Sequence, residues 1–218
     1  MATKKNVEVV EIRPLEIQHA RIRIVGDTPL IMHAWSEKAK RAMLEKQTGA
    51  TKTKAREPKN PVEDFIRSMY WLTPMPEEMT EAAFDAAIVN GARFGFPVTA
   101  FKQAAISAAY RLGWTKDKMS MRGAFFIDGD PNQMLEIQSD PPVMREDMVT
   151  VGMGTADIRY RGEFRNWSAD MSISYNASGQ YSFEQIINVI NAGGYVCGVG
   201  EWRPERDGQY GMFHVEAI

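Results

Sequence analysis

"SFEQIINVINAGGYVCGVGEWRPERDGQYGMFHVEAI" (residues 182–218) decides how the chain is read. Ser182 and Gln185 have the spacing of a capping box, so a helix is expected over 182–194. "GMFHVEAI" (211–218) reads as a closing strand. Between them, residues 193–215 hold six of the 17 glycines, with Trp202, Arg203 and Arg206 interleaved. Such a loop serves either a bulged hairpin or a main chain that lies close against something flat and anionic.

Working outward, "HARIRIVGDTPLIMH" (19–33) alternates Ile22 and Ile24 with Arg21 and Arg23, the period of a half-buried strand, before Gly26, Asp27 and Pro29 break it. In "FPVTAFKQAAISAAYRLG" (96–113), Thr99 is the expected N-cap. Phe101, Ala104, Ala105, Ala108 and Leu112 form one apolar stripe, and Gly113 stops the helix. "GAFFIDG" (123–129), "QMLEIQS" (133–139), 148–164 and "SADMSISYN" (168–176) read as extended, with Met171, Ile173 and Tyr175 on one face of the last. Further helices are expected at 36–47 behind a Ser36 cap, from Asn60 with Pro61 at N1, and at 80–90. Residues 48–59 have almost no large apolar side chain and read as mobile.

With insertions set aside the order is βαββαβ. The expectation is an α+β chain with a modified RRM/ferredoxin-like core, one domain over 1–218. A basic arm with helices is inserted at 36–95 and an extended segment at 139–166.

The formal net charge of -2 gives no global attraction to a polyanion, but charge is unevenly spread. Lys38 to Lys59 carries eight basic residues, Lys38, Lys40 and Arg41 among them, against Glu45 and Glu57. A solvated linker and a local phosphate-binding arm both fit that composition. Cys197 is the sole cysteine, so no internal disulfide forms. No apolar run reaches the ~20 residues of a membrane span, and the start lacks an apolar leader core. A cytoplasmic location without a membrane partner is expected. No histidine has metal-ligand spacing with another histidine or with the cysteine, and "GVGEWR" lacks the third glycine of a dinucleotide fingerprint. No cofactor is expected.

Three segments resemble the RAMP superfamily, whose RRM-like fold supplies RNA-binding backbone subunits to CRISPR effector complexes. "GDTPLIMH" is similar to the Gly-x-x-Pro-Leu run after the family's first strand. "FPVTAFKQAAISAAYRL" resembles its central helix start, with Phe96, Pro97, Thr99, Phe101, Lys102 and Ile106 in step. "GGYVCGVGEWRPERDGQYGMFHV" resembles the C-terminal Gly-rich loop and last strand. Val98 departs from the glycine often found there, and Gln103 from the small residue after the lysine. The resemblance implies a solitary, phage-type relative that binds single-stranded RNA or DNA without catalysis and self-associates into a filament or ring. Some backbone subunits cleave their target through an aspartate after the first strand. None stands between Asp27 and Asp64 here, so that activity is not carried over.

Single strands are held by cations that track phosphates and by rings that stack on bases. The expected contacts are Thr99 and Lys102 at a helix start, Arg159 and Arg161 on one strand face, Trp202, Arg203 and Arg206 in the loop, and Lys38, Lys40 and Arg41 in the arm. Two alternatives remain open. His33 lies roughly where metal-independent RNA-processing endonucleases of the superfamily place a histidine, which implies general acid–base cleavage. A phage-type assembly protein that touches no nucleic acid would instead use its aromatics and 14 methionines at protein interfaces.

Overall fold

A computed structural model describes residues 14–35, 37–49, 58–152 and 154–217. In chain order, β1 (Ile17–Gly26) and β2 (Leu30–Met32) are followed by α1 (Glu37–Gln47), α2 (Pro61–Arg67), β3 (Tyr70–Trp71) and α3 (Glu81–Val89). Next, β4 (Phe94–Pro97) runs straight into α4 (Val98–Arg111), then α5 (Lys118–Arg122), β5 (Phe125–Asp128) and β6 (Met134–Ile137). After β7 (Val143–Val151), β8 (Thr155–Phe164) and β9 (Ser168–Asn176) come α6 (Phe183–Val196), a 3-10 turn (Pro204–Arg206) and β10 (Phe213–Ala217). The molecule is mixed α+β, its sheets antiparallel throughout the described residues.

Alternation in β1 sends Ile22 and Ile24 to one side, and both are buried. Ile22 faces Met171 across β9 and Ile24 faces Val215 across β10, so one sheet, ordered β10-β1-β9-β5, presents a continuous apolar face. The helices α4 and α6 cover it. Phe101 of α4 is fully buried, with its ring edge-on to Phe96 at 5.9 Å and to Phe213 at 5.6 Å. Two smaller sheets, β2-β8-β7 and β3-β4-β6, flank this unit.

Local chemistry fixes the helix starts. Asn60 Oδ1 accepts from the Val62 and Glu63 amides at 3.1 and 3.3 Å, with Pro61 at N1. Thr80 caps α3 through the Ala83 amide at 3.2 Å. Ser182 and Gln185 close the expected capping box, at 3.2 and 2.9 Å.

Three expectations are corrected. Thr99 is not an N-cap: β4 extends to Pro97, the Val98 amide donates to Gln133 O at 3.0 Å, and Thr99 falls in the first turn. "PLIM" is not a break alone, because Leu30, Ile31 and Met32 are all buried and pair with β8 as β2. Finally, α6 does not end at Gly193–Gly194 but runs through them to Val196. There the glycines permit contact: a Cβ at Gly193 would lie 2.7 Å from the Ala105 amide nitrogen, and one at Gly194 would strike Phe213 O. The expected Ser36 cap and most of the segment read as mobile, 50–57, lie outside the described residues. No helix among the described residues is long and apolar enough to cross a membrane.

Backbone atoms cannot swing aside as a side chain can. Gly194→Ala is therefore expected to destabilise the fold by about 1–3 kcal/mol through overpacking, read as a lower urea midpoint at unchanged slope.

Candidate nucleic-acid interface

The loop after α6 folds back onto the segment that leaves β1. The Glu201 amide donates to Ile31 O at 3.0 Å, and the Gly211 amide donates to Pro29 O at 2.8 Å. Gly200 adopts φ 80°, and a Cβ there would lie 2.5 Å from Ile31 O. These glycines thus serve close contact within the chain, not an exposed main chain.

Beside the loop lies a groove of about 270 Å³. His33, Tyr70, Thr99, Gln103, Gly200 and Arg203 stand on its walls, with Glu201 and Glu205. Arg203 Nε and Nη2 reach Glu205 Oε2 at 3.2 and 3.1 Å, and Nη1 donates to Gly200 O at 3.0 Å. Glu205 Oε1 also accepts from Arg111 Nη2 at 3.0 Å, so one carboxylate holds two guanidinium groups. The trio keeps one net positive charge.

His33 Nδ1 sits 3.4 Å from Glu201 Oε1, and Glu201 Oε2 lies 3.6 Å from Arg161 Nη2. The His33 contact above all, helped by Arg161, holds the Glu201 carboxyl below its ordinary range against the effect of burial. Burial and then Glu201 push the Tyr70 hydroxyl up. No described group bonds His33 Nε2.

Behind the groove is a network of paired charges on the β7–β8 hairpin. Arg145 reaches Asp147 at 2.7 Å and Glu163 at 3.0 Å, while Arg161 reaches Asp147 at 3.0 Å. Arg165 pairs with Glu163 at 2.7 Å, and the Tyr210 ring lies 4.5 Å from the Arg145 guanidinium carbon. Arg161 is only 5% exposed, and its Nε finds no partner. Burial would raise the Asp147 carboxyl, but hydrogen bonds from Arg145, Arg161 and the Trp202 indole outweigh it and hold it below the ordinary range. Glu163 is lowered likewise, with Arg165 and Arg145 outweighing burial.

The expected contacts are therefore divided. Thr99 and Arg203 meet in the groove. Lys102 does not: it turns toward β5, with Nζ 3.9 Å from the Phe126 ring centroid, and burial lowers its ammonium pKa. Arg161 is locked in the network, and Arg159 pairs with Asp157 at 3.0 Å. Trp202 is partly exposed, and its side chain helps to hold the Asp147 carboxyl down. Arg206 is exposed on the 3-10 turn and has no ion-pair partner among the described residues. Lys40 and Arg41 lie exposed on α1, while the Lys38 side chain falls outside the described residues. His214, where β10 begins beside the end of β1, bonds Asp27 at 2.6 Å, which raises its imidazole pKa. Among the described residues no group of acidic, histidine or cysteine side chains could hold a metal ion.

Sequence reading missed Glu201, Asp147, Arg145 and Glu163. The alternating Arg145 and Asp147 in "VMREDMV" is the signal that pairs with Arg159 and Arg161 across the hairpin, where the register sets Arg145 opposite Arg161 and Asp147 opposite Arg159. Compared with known proteins, the chain matches no family model and no curated protein.

Removing one partner of a buried network leaves an uncompensated charge. Asp147→Ala is expected to cost about 3–5 kcal/mol in urea unfolding. Because Asp147 and Glu163 are held below the carboxylate range, their stabilisation is complete only above about pH 5 and is lost as pH falls through their folded values. Acid unfolding followed by circular dichroism should start at higher pH in a Glu163→Gln variant.

Proposed function

We propose that the chain is a non-catalytic protein that binds single-stranded RNA or DNA along the groove between the start of α4 and the loop after α6. One observation carries this reading. The three segments that resemble the RAMP superfamily, far apart in sequence, converge on that single groove: His33 ends the first, Pro97 to Ala104 belong to the second, and Gly198 to Glu205 to the third. The sheet supports the fold half of the reading. Counting only β1, α4, β5, β9, α6 and β10, the succession is βαββαβ, and the order β10-β1-β9-β5 is fourth-first-third-second with every neighbour antiparallel. We infer that this is the split βαβ core, with 36–95 and 139–166 as insertions in it.

In this reading a phosphate displaces or joins Glu205 between Arg203 and Arg111, and Arg206 takes a neighbouring phosphate. Thr99 and Gln103 supply neutral hydrogen bonds. The cations are mostly compensated, so affinity comes from short-range contacts rather than long-range steering. Side-by-side assembly on the strand is part of the proposal. The β7–β8 hairpin supports it by exposing Met148 at 78% and Ile158 at 41%, apolar surface suited to a neighbouring copy.

Two or so phosphate contacts set the salt dependence. Log affinity for a labelled single strand is expected to fall with log salt at a slope near 1.4, and Arg203→Ala with Arg206→Ala should flatten it by one to two contacts. A slope that the double variant leaves unchanged, or no binding by the wild type, overturns the reading.

A second reading, metal-independent RNA cleavage, is favoured by the His33–Glu201 contact, which leaves Nε2 toward the groove. The 2′-hydroxyl would attack the adjacent phosphorus, passing its proton to Nε2, to form a 2′,3′-cyclic phosphate as the bond to the 5′-oxygen breaks and that oxygen takes a proton from water. Incubation with labelled RNA should show products that His33→Ala abolishes while binding persists. Intact RNA with the wild type removes this reading.

A further inference from the structure

A second surface, at the far end of α4, has the same chemical character as a single-strand site and was not singled out by the sequence. Tyr110 is 50% exposed and Trp114 52%. Arg111 and Lys116 flank them along the chain, α5, which packs against α4, carries Lys118 and Arg122, and the Lys118 Nζ lies 5.5 Å from the Tyr110 ring centroid. Asp117 is the one carboxylate in this stretch, its Oδ1 accepting the Ser120 amide at 2.8 Å, and Glu205 holds Arg111 and Arg203, so the balance of Lys116, Lys118 and Arg122 against Asp117 stays positive. Among the described residues no ion pair reaches Lys116, Lys118 or Arg122.

This corner is rigid, which is what distinguishes it from a scatter of surface residues. Helix α4 ends in a Schellman arrangement: the Trp114 amide donates to Ala109 O at 2.9 Å and the Gly113 amide to Tyr110 O at 3.2 Å, with Gly113 at φ 71°. Thr115 Oγ1 then donates to Asp117 O at 2.8 Å and meets Ser120 Oγ at 3.0 Å and Tyr181 at 3.3 Å. Two large rings are thus held half in water on a fixed backbone. Rigid exposed rings among uncompensated cations are the elements of a stacking platform, because each base offers a face to the ring and each phosphate a charge to the cation. Helix α4 links this corner to the groove: Thr99 stands near its start and Arg111 at its end, about 20 Å apart, with Arg111 sharing Glu205 with Arg203.

We propose that Tyr110, Trp114 and their cations form a second single-strand site, which stacks bases and binds phosphates of the same strand beyond the groove. This rests on the groove reading above and extends it to a longer footprint.

Length dependence separates the two sites. Fluorescence anisotropy of the full chain with labelled strands of about six and about thirty nucleotides, DNA and RNA in parallel, is the measurement. Trp114→Ala is expected to weaken the long strand about tenfold and leave the short one unchanged. Lys116→Glu with Arg122→Glu, two exposed positions that cannot unfold the core, should do the same and lower the salt slope for the long strand only. Arg203→Ala should weaken both lengths. If the α5-corner variants leave long-strand affinity intact while Arg203→Ala lowers it, the second site is overturned and the groove stands. If they lower it and Arg203→Ala does not, the groove reading falls and the corner binds by itself, which overturns the proposal as an extension of the groove. If the wild type binds neither length, both fall. A Trp114→Ala change that alters only the oligomeric state in sedimentation makes the corner a protein interface and overturns the proposal.

Discussion

The backbone contact between α4 and α6 is the constraint on which the rest of the molecule depends. Ala104, Ala105, Ala108 and Ala109 are buried on α4, and Gly193 and Gly194 meet α4 and β10 where no side chain would fit. Small residues on both sides let the helix axes approach closely, so the two helices cover a four-stranded sheet without a gap. The approach also fixes two ends at once. It sets the first turn of α4 beside the chain that leaves α6, and the groove is the space between them. Any residue larger than glycine at 193 or 194 would move both walls together.

Electrostatics is organised around the same point, with an unexpected sign. The loop was expected to present bare main chain and two free cations. Instead its glycines are spent on contact with Ile31 and Pro29, and Arg203 is held by Glu205 and Gly200 O. What faces the groove is a set of side chains: an imidazole, a hydroxyl, an amide and a guanidinium whose partner is shared. On the proposed reading such a site would gain little from distance and much from fit, because a phosphate would have to match the geometry that Glu205 already imposes. The buried pairs on the hairpin act one layer back. They anchor Trp202, Glu201 and, through Glu201, the ring plane of His33. Buried ion pairs add little to stability when compared with apolar packing, but they specify one arrangement.

The legible parts of the sequence were those governed by local rules. Caps at Asn60 and Ser182, the helix from Thr80, the alternation in β1 and β9, and the stripe of α4 from Phe101 to Ala108 appear where spacing puts them, because each depends on neighbours within a few residues. Leu112, expected to end the stripe, lies past the helix and is exposed. What was hidden depends on partners far away. "LIM" is a strand because β8 lies beside it, and the "GG" of α6 is helical because Ala105 and Phe213 O leave no room for anything else. Lys102 and Thr99 lie one turn apart on the same side of α4, yet the Lys102 ammonium swings away over the Phe126 ring while Thr99 lines the groove, a difference set by a partner on β5 and not by spacing. The charges of the hairpin were equally opaque: Arg161 reads as an exposed strand cation until Asp147 is known to face it.

This last distinction bears on how a ligand could be held at all. A helix start carries a favourable dipole whatever its side chains do, and α4 begins at the groove with no side-chain cap bond at Pro97. The Val98 amide is already taken by Gln133 O, so the donors left in the first turn are the amides that follow it, beside Thr99. With Lys102 turned to Phe126, the attraction for an anion at this end of α4 rests on the backbone and on Arg203, not on a lysine. On the proposed reading, a groove of neutral donors with one shared guanidinium would favour a singly charged phosphodiester over more highly charged ligands, whose excess charge Glu201 and Glu205 would oppose. That preference would hold for RNA and DNA alike.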